Sequence, residues 1–565
     1  MTAAADILTT RQRTQATFAR ECGGRPPIQI WGTRGMASSM HPLASQAAID
    51  VLRRGGNAFD AAVALAGVIA VTSPDWAGPA GDSAWQIYDA RSGSFHHLDG
   101  YSVCGAATTA DLLRRHFKLD RQHDARAFQE EPPEQRHAGV VTSMVPGTPA
   151  AWVELLHRFG SMELGALLEP AIQLAERGFP VNHYLAAALQ NWRGKLVPFE
   201  STRQLVCESA GALLGEGALL RQPDLALTLR RLAEHGHDGF YGGRTADLIV
   251  EHCVRQGGVI SHEDLKSYRA VWRDVVQGRY RGTDVVVTAP PTAGVHVLQA
   301  LNILGGFDIA ALPYHSAPSL HLLIEALKPA LAGRRATGGD PDFMKIDVEK
   351  LASTRYADQL RVGIDPKHAA RGDAMEFVAG STTHFAVADA MGNMVNATQT
   401  IGASFGCGEV IAGSGLFMND RTWWMALEGG PNVVAPGRRA NIGHASAMLV
   451  DGGRPFAAMG SPGGFGIVQY VVQVIVNMID YGLDIQSAIE APRFKMESLD
   501  GRVGMEARID GATRASLAAM GHDVFDFPAW TDRVGGVEGL SVDTATGHML
   551  GGYDPRRNSL AAGLS

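Results

Sequence analysis

The sequence is poor in cysteine and pairs none of it by spacing. Its five cysteines (Cys22, Cys104, Cys207, Cys253, Cys407) are odd in number and never stand as C-x-x-C. That argues against a disulfide framework and a cysteine zinc site, and for a reducing compartment. Long apolar runs are missing too. The longest, Gly466 to Ile479, contains Gln469, Gln473 and Asn477, so it reads as a buried helix and not a membrane span. Residues 1–24 hold no apolar core of signal-peptide length. Nor is there an excess of positive charge. Lys+Arg number 50 against 58 Asp+Glu, a formal charge of -8, which leaves no basic footprint for nucleic acid. The 66 glycines follow no collagen triplet and instead mark turns and close backbone contacts. The expectation is a soluble, cytoplasmic protein with a small-molecule partner, no membrane and no nucleic acid.

What is present is an ordinary globular balance, 45% hydrophobic and 19% charged over 565 residues, with ample length for a large core. Residues 1–34 are polar and patternless and read as a flexible arm, with order beginning at Met36. Pro42 to Arg54 carries an amphipathic helical pattern that Gly55-Gly56 stops. Asn57 starts a second helix with Asp60 as its capping-box partner; Ala58 to Val71 is apolar on nearly all sides and should be buried. Pro74 to Asp82 is a glycine-rich loop, followed by short strands at 85–88 and 95–98. Residues 118–137, densely charged with Pro132-Pro133, read as an exposed loop. Helices are expected at about 148–178, 223–236, after Ser261, at 295–304 and at 319–331, where Pro329 disturbs the last turn. Residues 336–348 and 364–380 read as loops.

The C-terminal third differs. THFAVAD at 383–389 alternates, Met391-Gly392-Asn393 turns, and MVNATQT at 394–400 alternates again, the pattern of a β-hairpin. Further strands are expected at 409–412, 446–450, 455–459 and 539–543. The mixture is α+β, with packed antiparallel sheets flanked by helices.

Gly380-Ser381-Thr382-Thr383-His384-Phe385 lies where a loop enters the first hairpin strand. A threonine hydroxyl is a poor nucleophile until a base takes its proton. If Thr382 were N-terminal, its own α-amine, with a pKa of about 7.7–8.0, could be that base. The Ser381–Thr382 bond would first have to be cut, which the same hydroxyl can do by an N→O acyl shift. On its own the tripeptide reads equally as a Ser/Thr-rich strand entry.

The wider sequence decides between them. TTHFAVAD, TQTIGASFGCG, PGRRAN and MGSPGG resemble the small subunit of the γ-glutamyltranspeptidase family. HPLASQAAIDVLRRGGNAFDAAVA, VPGTPAAW, GGVISHEDLKSYRA, APPTAGVHVLQALNIL and IDYGLDIQSAIEAPRF extend the likeness over about residues 34–560. The resemblance implies an N-terminal nucleophile hydrolase with an αββα sandwich of two packed antiparallel sheets. It implies self-cleavage into a large subunit, 35–381, and a small one, 382–565, and leaves a homodimer of these open. It implies Thr382 as nucleophile, Thr400 as the threonine that orients it, and Gly463 and Gly464 as the backbone oxyanion hole, where no side chain blocks the two N–H donors. No cofactor and no metal are implied.

The glutamyl pocket does not carry over. Tyr101 stands where the family has an arginine for the α-carboxylate, and Gly402 where it has an asparagine. Arg421 and Trp424 replace a glutamine and an aspartate, and Ile442 and Gly443 replace paired serines. A site built to hydrogen-bond a polar group loses orders of magnitude when that match is broken, so a standard γ-glutamyl group is not the expected substrate. Arg421, Trp423, Trp424 and Tyr101 suggest an aromatic wall with one cationic fork, although the tryptophans read equally as packing residues. The Asn-Asp-Arg-Thr-Trp-Trp stretch and the Gly81-Asp82…Trp85 loop resemble the branch with oxamate amidohydrolase and cephalosporin acylase-like proteins. Thr383, His384 and Asn396 are further candidates without an assigned role. Gly402-Ala403-Ser404-Phe405-Gly406 fits G-x-S-x-G, but four glycines in 406–415 forbid the helix a nucleophile elbow needs. His96-His97, His235 and His237 lack metal-ligand companions and read as surface or cap histidines. Arg438-Arg439 reads as a loop anchor.

Overall fold

The two alternating stretches around Met391-Gly392-Asn393 pair as a hairpin near the middle of one of two large sheets. The structure, a computed structural model, describes residues 3–117, 138–208, 211–372, 381–441 and 443–565. In chain order the strands of these sheets are Ile30–Gly32 (β1), Gly35–Ser39 (β2), Asp82–Asp89 (β3), Ser94–Gly100 (β4), Val271–Arg273 (β5), Val275–Tyr280 (β6), Thr283–Thr288 (β7), Ser381–Asp389 (β8), Met394–Gly402 (β9), Ala447–Asp451 (β10), Arg454–Gly460 (β11), Glu538–Val542 (β12), Met549–Gly552 (β13) and Leu560–Leu564 (β14). One sheet runs β14-β2-β8-β9-β3-β4-β5 and the other β1-β13-β12-β11-β10-β7-β6. The pairings on either side of the hairpin are antiparallel, as are those of β10 and β11.

Alternation along β8 sets the layers. Phe385 and Val387 point into a core shared with the Ala58–Thr72 helix, all of whose residues are buried. Ala386 and Ala388 point the other way, against Met448, Ala458 and Leu540 of the second sheet. Helices Gly294–Leu304, Ala317–Thr337 and Ile467–Ile479 cover the far face of that sheet, over Val285, Leu449 and Met459. The order is helix, sheet, sheet, helix, the αββα sandwich that the family resemblance implied. Asn57–Asp60 and Ser261–Asp264 form the capping boxes expected of them. Among the described residues no helix is long and apolar enough to cross a membrane.

Several expectations need correction. The supposed arm carries the helix Ala3–Glu21, held by buried Phe18 and Cys22 and by a 2.9 Å pair between Glu21 and His315. The helix expected over 148–178 is two, Thr148–Phe159 and Leu164–Arg177, divided at Gly160. Ala317–Thr337 runs on past Pro329 for two turns, because tertiary burial outweighs one missing N–H. His97 is not a surface histidine; it is fully buried in β4. Residues 118–137 and 373–380 lie outside the described residues.

Candidate active site

The first residues of β8 leave the regular ladder. Ser381 pairs with Gly402 and Thr383 with Gln399, so the register shifts across Thr382. A bulge of this kind re-aims one side chain. Thr382 is 4% exposed. Its Oγ1 lies 2.6 Å from the Ser381 carbonyl oxygen and 3.3 Å from Thr400 Oγ1. Thr400, near the end of β9, donates to the same carbonyl at 2.7 Å and accepts the Gly402 N–H at 3.0 Å. Two hydroxyls therefore converge on one carbonyl, and Thr400 is fixed by a backbone donor. Ser381 Oγ is 2.9 Å from Ser404 Oγ. The Ser404 carbonyl accepts from buried Lys195 at 2.9 Å, and Ala403 N–H donates to Asp420 at 3.0 Å.

Gly463 and Gly464 follow β11 and precede the Ile467–Ile479 helix. Their φ angles are +123° and +58°, in the left-handed region. A Cβ on Gly463 would stand 2.8 Å from the Tyr470 ring, so the turn needs glycine both for conformation and for space. Gly463 and Thr382 line the same cavity, about 540 Å³, with Ser381, Ser404 and Pro462. Trp76, Tyr184 and Trp192 supply its aromatic side. Its charged side holds Lys495 and Arg533 paired with Glu497 at 2.6 and 3.0 Å, and Arg557 paired with Asp532 at 3.3 Å.

The other anticipated pocket residues, among those described, are not part of that cavity's lining. Arg421 is 1% exposed and pairs with Asp82 at 2.8 Å, its guanidinium 5.3 Å over the Trp424 ring. It is therefore not the free cationic fork that its sequence context suggested. Burial pushes the Asp82 carboxyl up to about 7, the Arg421 charge opposing this. Tyr101 is fully buried and hydrogen-bonds His444 Nδ1 at 2.9 Å. Burial holds the Tyr101 phenol well above, and the His444 imidazole well below, their ordinary values. Trp423 packs on Phe117, the ring centroids 5.2 Å apart. A Cβ on Gly402 would meet Asp420 Oδ1 at 1.8 Å, and one on Gly443 the Gly464 carbonyl at 2.1 Å. Ile442 lies outside the described residues.

The remaining candidates have structural tasks. Thr383 donates to the Gln399 carbonyl at 2.8 Å. His384 Nε2 meets Asn396 Oδ1 at 2.7 Å, and Asn396 Nδ2 donates to Gln86 and to the Ala447 and Met459 carbonyls, tying the two sheets together. Burial lowers His384 to about 4, so it is neutral near pH 7. Residues 403–408 form turns without a following helix, as expected. Arg439 anchors its loop through its N–H to Asp340 at 2.8 Å. Among the described residues, one group has metal-ligand types close together: His321, Glu325 and His522. Lys328 Nζ already holds Glu325 at 2.6 Å, and His321 Nδ1 holds His522 Nε2 at 2.8 Å. The set is closed by the protein's own groups. In the sequence Ser404 belongs only to the rejected G-x-S-x-G pattern, and its contact with Ser381 shows only in the fold.

The γ-glutamyltranspeptidase family model ("Gamma-glutamyltranspeptidase") matches residues 44–564. The Acylase ACY 1 proenzyme of Pseudomonas sp. (strain SE83) is 35% identical over 539 residues, 94% of this chain and 95% of its own length. The Glutathione hydrolase proenzyme of Escherichia coli (strain K12) is 33% identical over 551 residues, 94% and 92% of the two chains. The crystal structure of cephalosporin acylase from Bacillus halodurans superposes with a TM-score of 0.86 at 30% identity, covering 96% of this chain and 98% of the other.

Proposed function

The chain belongs to the γ-glutamyltranspeptidase family, and from that premise we propose that Thr382 is the nucleophile of a self-processing amide hydrolase. The chain is an N-terminal nucleophile hydrolase acting on C–N amide bonds, made as a proenzyme. The observation that supports Thr382 is the convergence of its own hydroxyl and that of Thr400 on the Ser381 carbonyl, at 2.6 and 2.7 Å.

Maturation then runs as follows. Thr382 Oγ attacks the Ser381 carbonyl carbon, and the Thr400 hydroxyl supports the developing oxyanion. The hydroxyl proton passes to the departing Thr382 nitrogen as the C–N bond breaks. Water hydrolyses the resulting ester, leaving a Ser381 carboxylate and a free α-amine on Thr382. That yields a large subunit ending at Ser381 and a small one beginning at Thr382.

In the mature enzyme the same hydroxyl attacks a substrate amide and the α-amine takes its proton. The Gly463 and Gly464 N–H groups hold the oxyanion. The amine leaves through the aromatic and charged cavity, and water releases the acyl group. A hydrolase with an acyl group other than γ-glutamyl fits the residues best. Tyr101, Gly402 and Gly443 offer no charged group for a glutamyl head, and Arg421 is already engaged by Asp82. A γ-glutamyl hydrolase or transferase is the second reading, favoured by the Escherichia coli relative.

The test is an amide panel that includes γ-glutamyl-p-nitroanilide, with the acyl adduct located by peptide mass spectrometry. An adduct on the peptide beginning at Thr382, formed from simple acyl amides in preference to the γ-glutamyl one, supports the first reading. Preference for γ-glutamyl supports the second. Turnover by a Thr382→Ala protein would overturn both.

A further inference from the structure

Lys195, in the short helix Arg193–Leu196, is the most deeply buried lysine among the described residues, at 1% exposed. Two other buried lysines sit directly on carboxylates, Lys328 on Glu325 and Lys495 on Glu497, each at 2.6 Å. Lys195 differs from them. Its counter-ion, Asp420, is 3.9 Å away, and its short contact, 2.9 Å, goes to the Ser404 carbonyl. A buried ammonium is costly to keep, and burial pushes this one below its ordinary value, Asp420 opposing. A buried charge aimed at a backbone oxygen makes a strong hydrogen bond and fixes that backbone.

The backbone it fixes is strained. Phe405 is a buried, non-glycine residue at φ +61°, in the left-handed region. A bulky side chain persists there only where its surroundings over-determine the turn. Three consecutive residues are held. Ala403 N–H donates to Asp420 Oδ1 at 3.0 Å, the Ser404 carbonyl accepts from Lys195, and Phe405 N–H donates to the Asp75 carbonyl at 3.0 Å. Gly408 closes over the lysine stem, where a Cβ would stand 2.6 Å from Lys195 Cγ. The Lys195–Asp420 pair thus grips the turn from both sides, Asp420 taking one N–H and Lys195 the next residue's carbonyl.

This turn delivers two groups to the bond that is cut. Gly402 N–H holds the Thr400 hydroxyl at 3.0 Å, and that hydroxyl donates to the Ser381 carbonyl at 2.7 Å. Ser404 Oγ meets Ser381 Oγ at 2.9 Å. The scissile residue is therefore held at its carbonyl by Thr400 and at its side chain by Ser404. Ser381 and Ser404 both line the cavity with Thr382, and so does Trp192, whose ring centre is 5.0 Å from Lys195 Nζ. Displacement of the reacting atoms by about 1 Å can slow a reaction about 100-fold, so a second hold on Ser381 bears on rate as well as on fold.

We propose that Ser404 is a positioning residue for maturation: its hydroxyl orients Ser381 toward Thr382 Oγ1, and the buried Lys195–Asp420 pair sets Ser404 in place. Lys195 precedes the cut, and Ser404 and Asp420 follow it, so the clamp bridges the two parts of the chain that cleavage separates. The proposal rests on Thr382 as the nucleophile, and its test separates the two.

Freshly purified precursors are incubated and their cleavage followed by intact mass. Ser404→Ala should slow cleavage at least about tenfold, and Ser404→Thr, which keeps the hydroxyl, should recover most of the loss. Ser381→Ala removes the other end of the same contact, so Ser381→Ala with Ser404→Ala should be within about twofold of Ser404→Ala alone. The ion pair is replaced as a unit, Lys195→Met with Asp420→Asn, so that no lone charge stays buried. That protein should also mature at least about tenfold more slowly, and adding Ser404→Ala should slow it by less than the product of the two factors. Factors that multiply would show independent effects and overturn the clamp. So would a Ser404→Ala precursor that matures within about twofold of wild type. If the ion-pair replacement does not fold, the serine pair decides. In a Thr382→Ala background, which cannot cleave, Ser404→Ala should unfold within about 2 °C of its parent; a fall of more than about 5 °C would assign Ser404 to the fold instead. Cleavage before Thr382 at one rate in every variant refutes the clamp and leaves the nucleophile standing. A wild-type chain that is not cut there refutes the nucleophile and the clamp with it.

Discussion

Thr400→Val removes one hydroxyl and almost no volume, so it isolates what that hydroxyl does. In the precursor it donates to the Ser381 oxygen at 2.7 Å and accepts the Gly402 N–H at 3.0 Å. Loss of one oxyanion donor typically slows an acyl-transfer step by about 10²–10³, or roughly 2.7–4 kcal/mol of barrier. The orphaned Gly402 N–H adds about 1–3 kcal/mol of destabilisation. The two effects are separable: the first slows maturation, the second lowers Tm. Freshly purified precursor is incubated and its disappearance followed by gel and intact mass. Thr400→Ser, which keeps the donor, should mature near the wild-type rate. Thr400→Val should mature about 10²–10³ times more slowly. A Thr400→Val precursor maturing within about threefold of wild type would refute a role for this hydroxyl in cleavage.

Other expectations follow from buried charge and close packing. His41, His97 and His384 are each lowered by burial from 6.5 to about 4. At these three sites the unfolded chain therefore binds more protons than the folded one between pH 6.5 and 4, and their contribution to stability falls as pH drops through that window. Each contributes up to about 1.4 kcal/mol per pH unit. Asp75 and Asp82, pushed up to about 7, give the opposite slope. The check is therefore the loss of stability from pH 7 to pH 5 by urea unfolding in wild type against a His97→Gln protein, and equal losses in the two would contradict the burial. Gly443→Ala places a Cβ 2.1 Å from the Gly464 carbonyl. It should displace the oxyanion turn and cut kcat by about 100-fold; steady-state kinetics with unchanged values would remove Gly464 from the mechanism. Asp82→Asn leaves Arg421 buried without its counter-ion and should cost about 3–5 kcal/mol, read as a lower urea midpoint. Restoration by the pair Asp82→Asn and Arg421→Met would identify the ion pair as the cause.

Local patterns made part of this legible. The hairpin that carries Thr382 and Thr400 alternates cleanly because each face of its sheet meets a different core. Asn57 and Ser261 announce their helices because capping needs only neighbours in sequence. What the sequence hid depends on distant partners. Ala3–Glu21 carries few apolar residues, and its ordering comes from contacts such as Glu21 with His315. Arg421 looked free because Asp82 is far away in the chain.

The most direct test of the account is the intact mass of the purified protein together with the N-terminal sequence of its fragments. Cleavage before Thr382 should give roughly 40 and 20 kDa, dividing 60.1 kDa by chain length. The smaller chain should begin Thr382-Thr383-His384-Phe385. Thr382→Ala should stay whole. A single 60.1 kDa chain that persists for days, or a small chain beginning elsewhere, would mean that Thr382 never gains a free α-amine, and the proposed mechanism would fail.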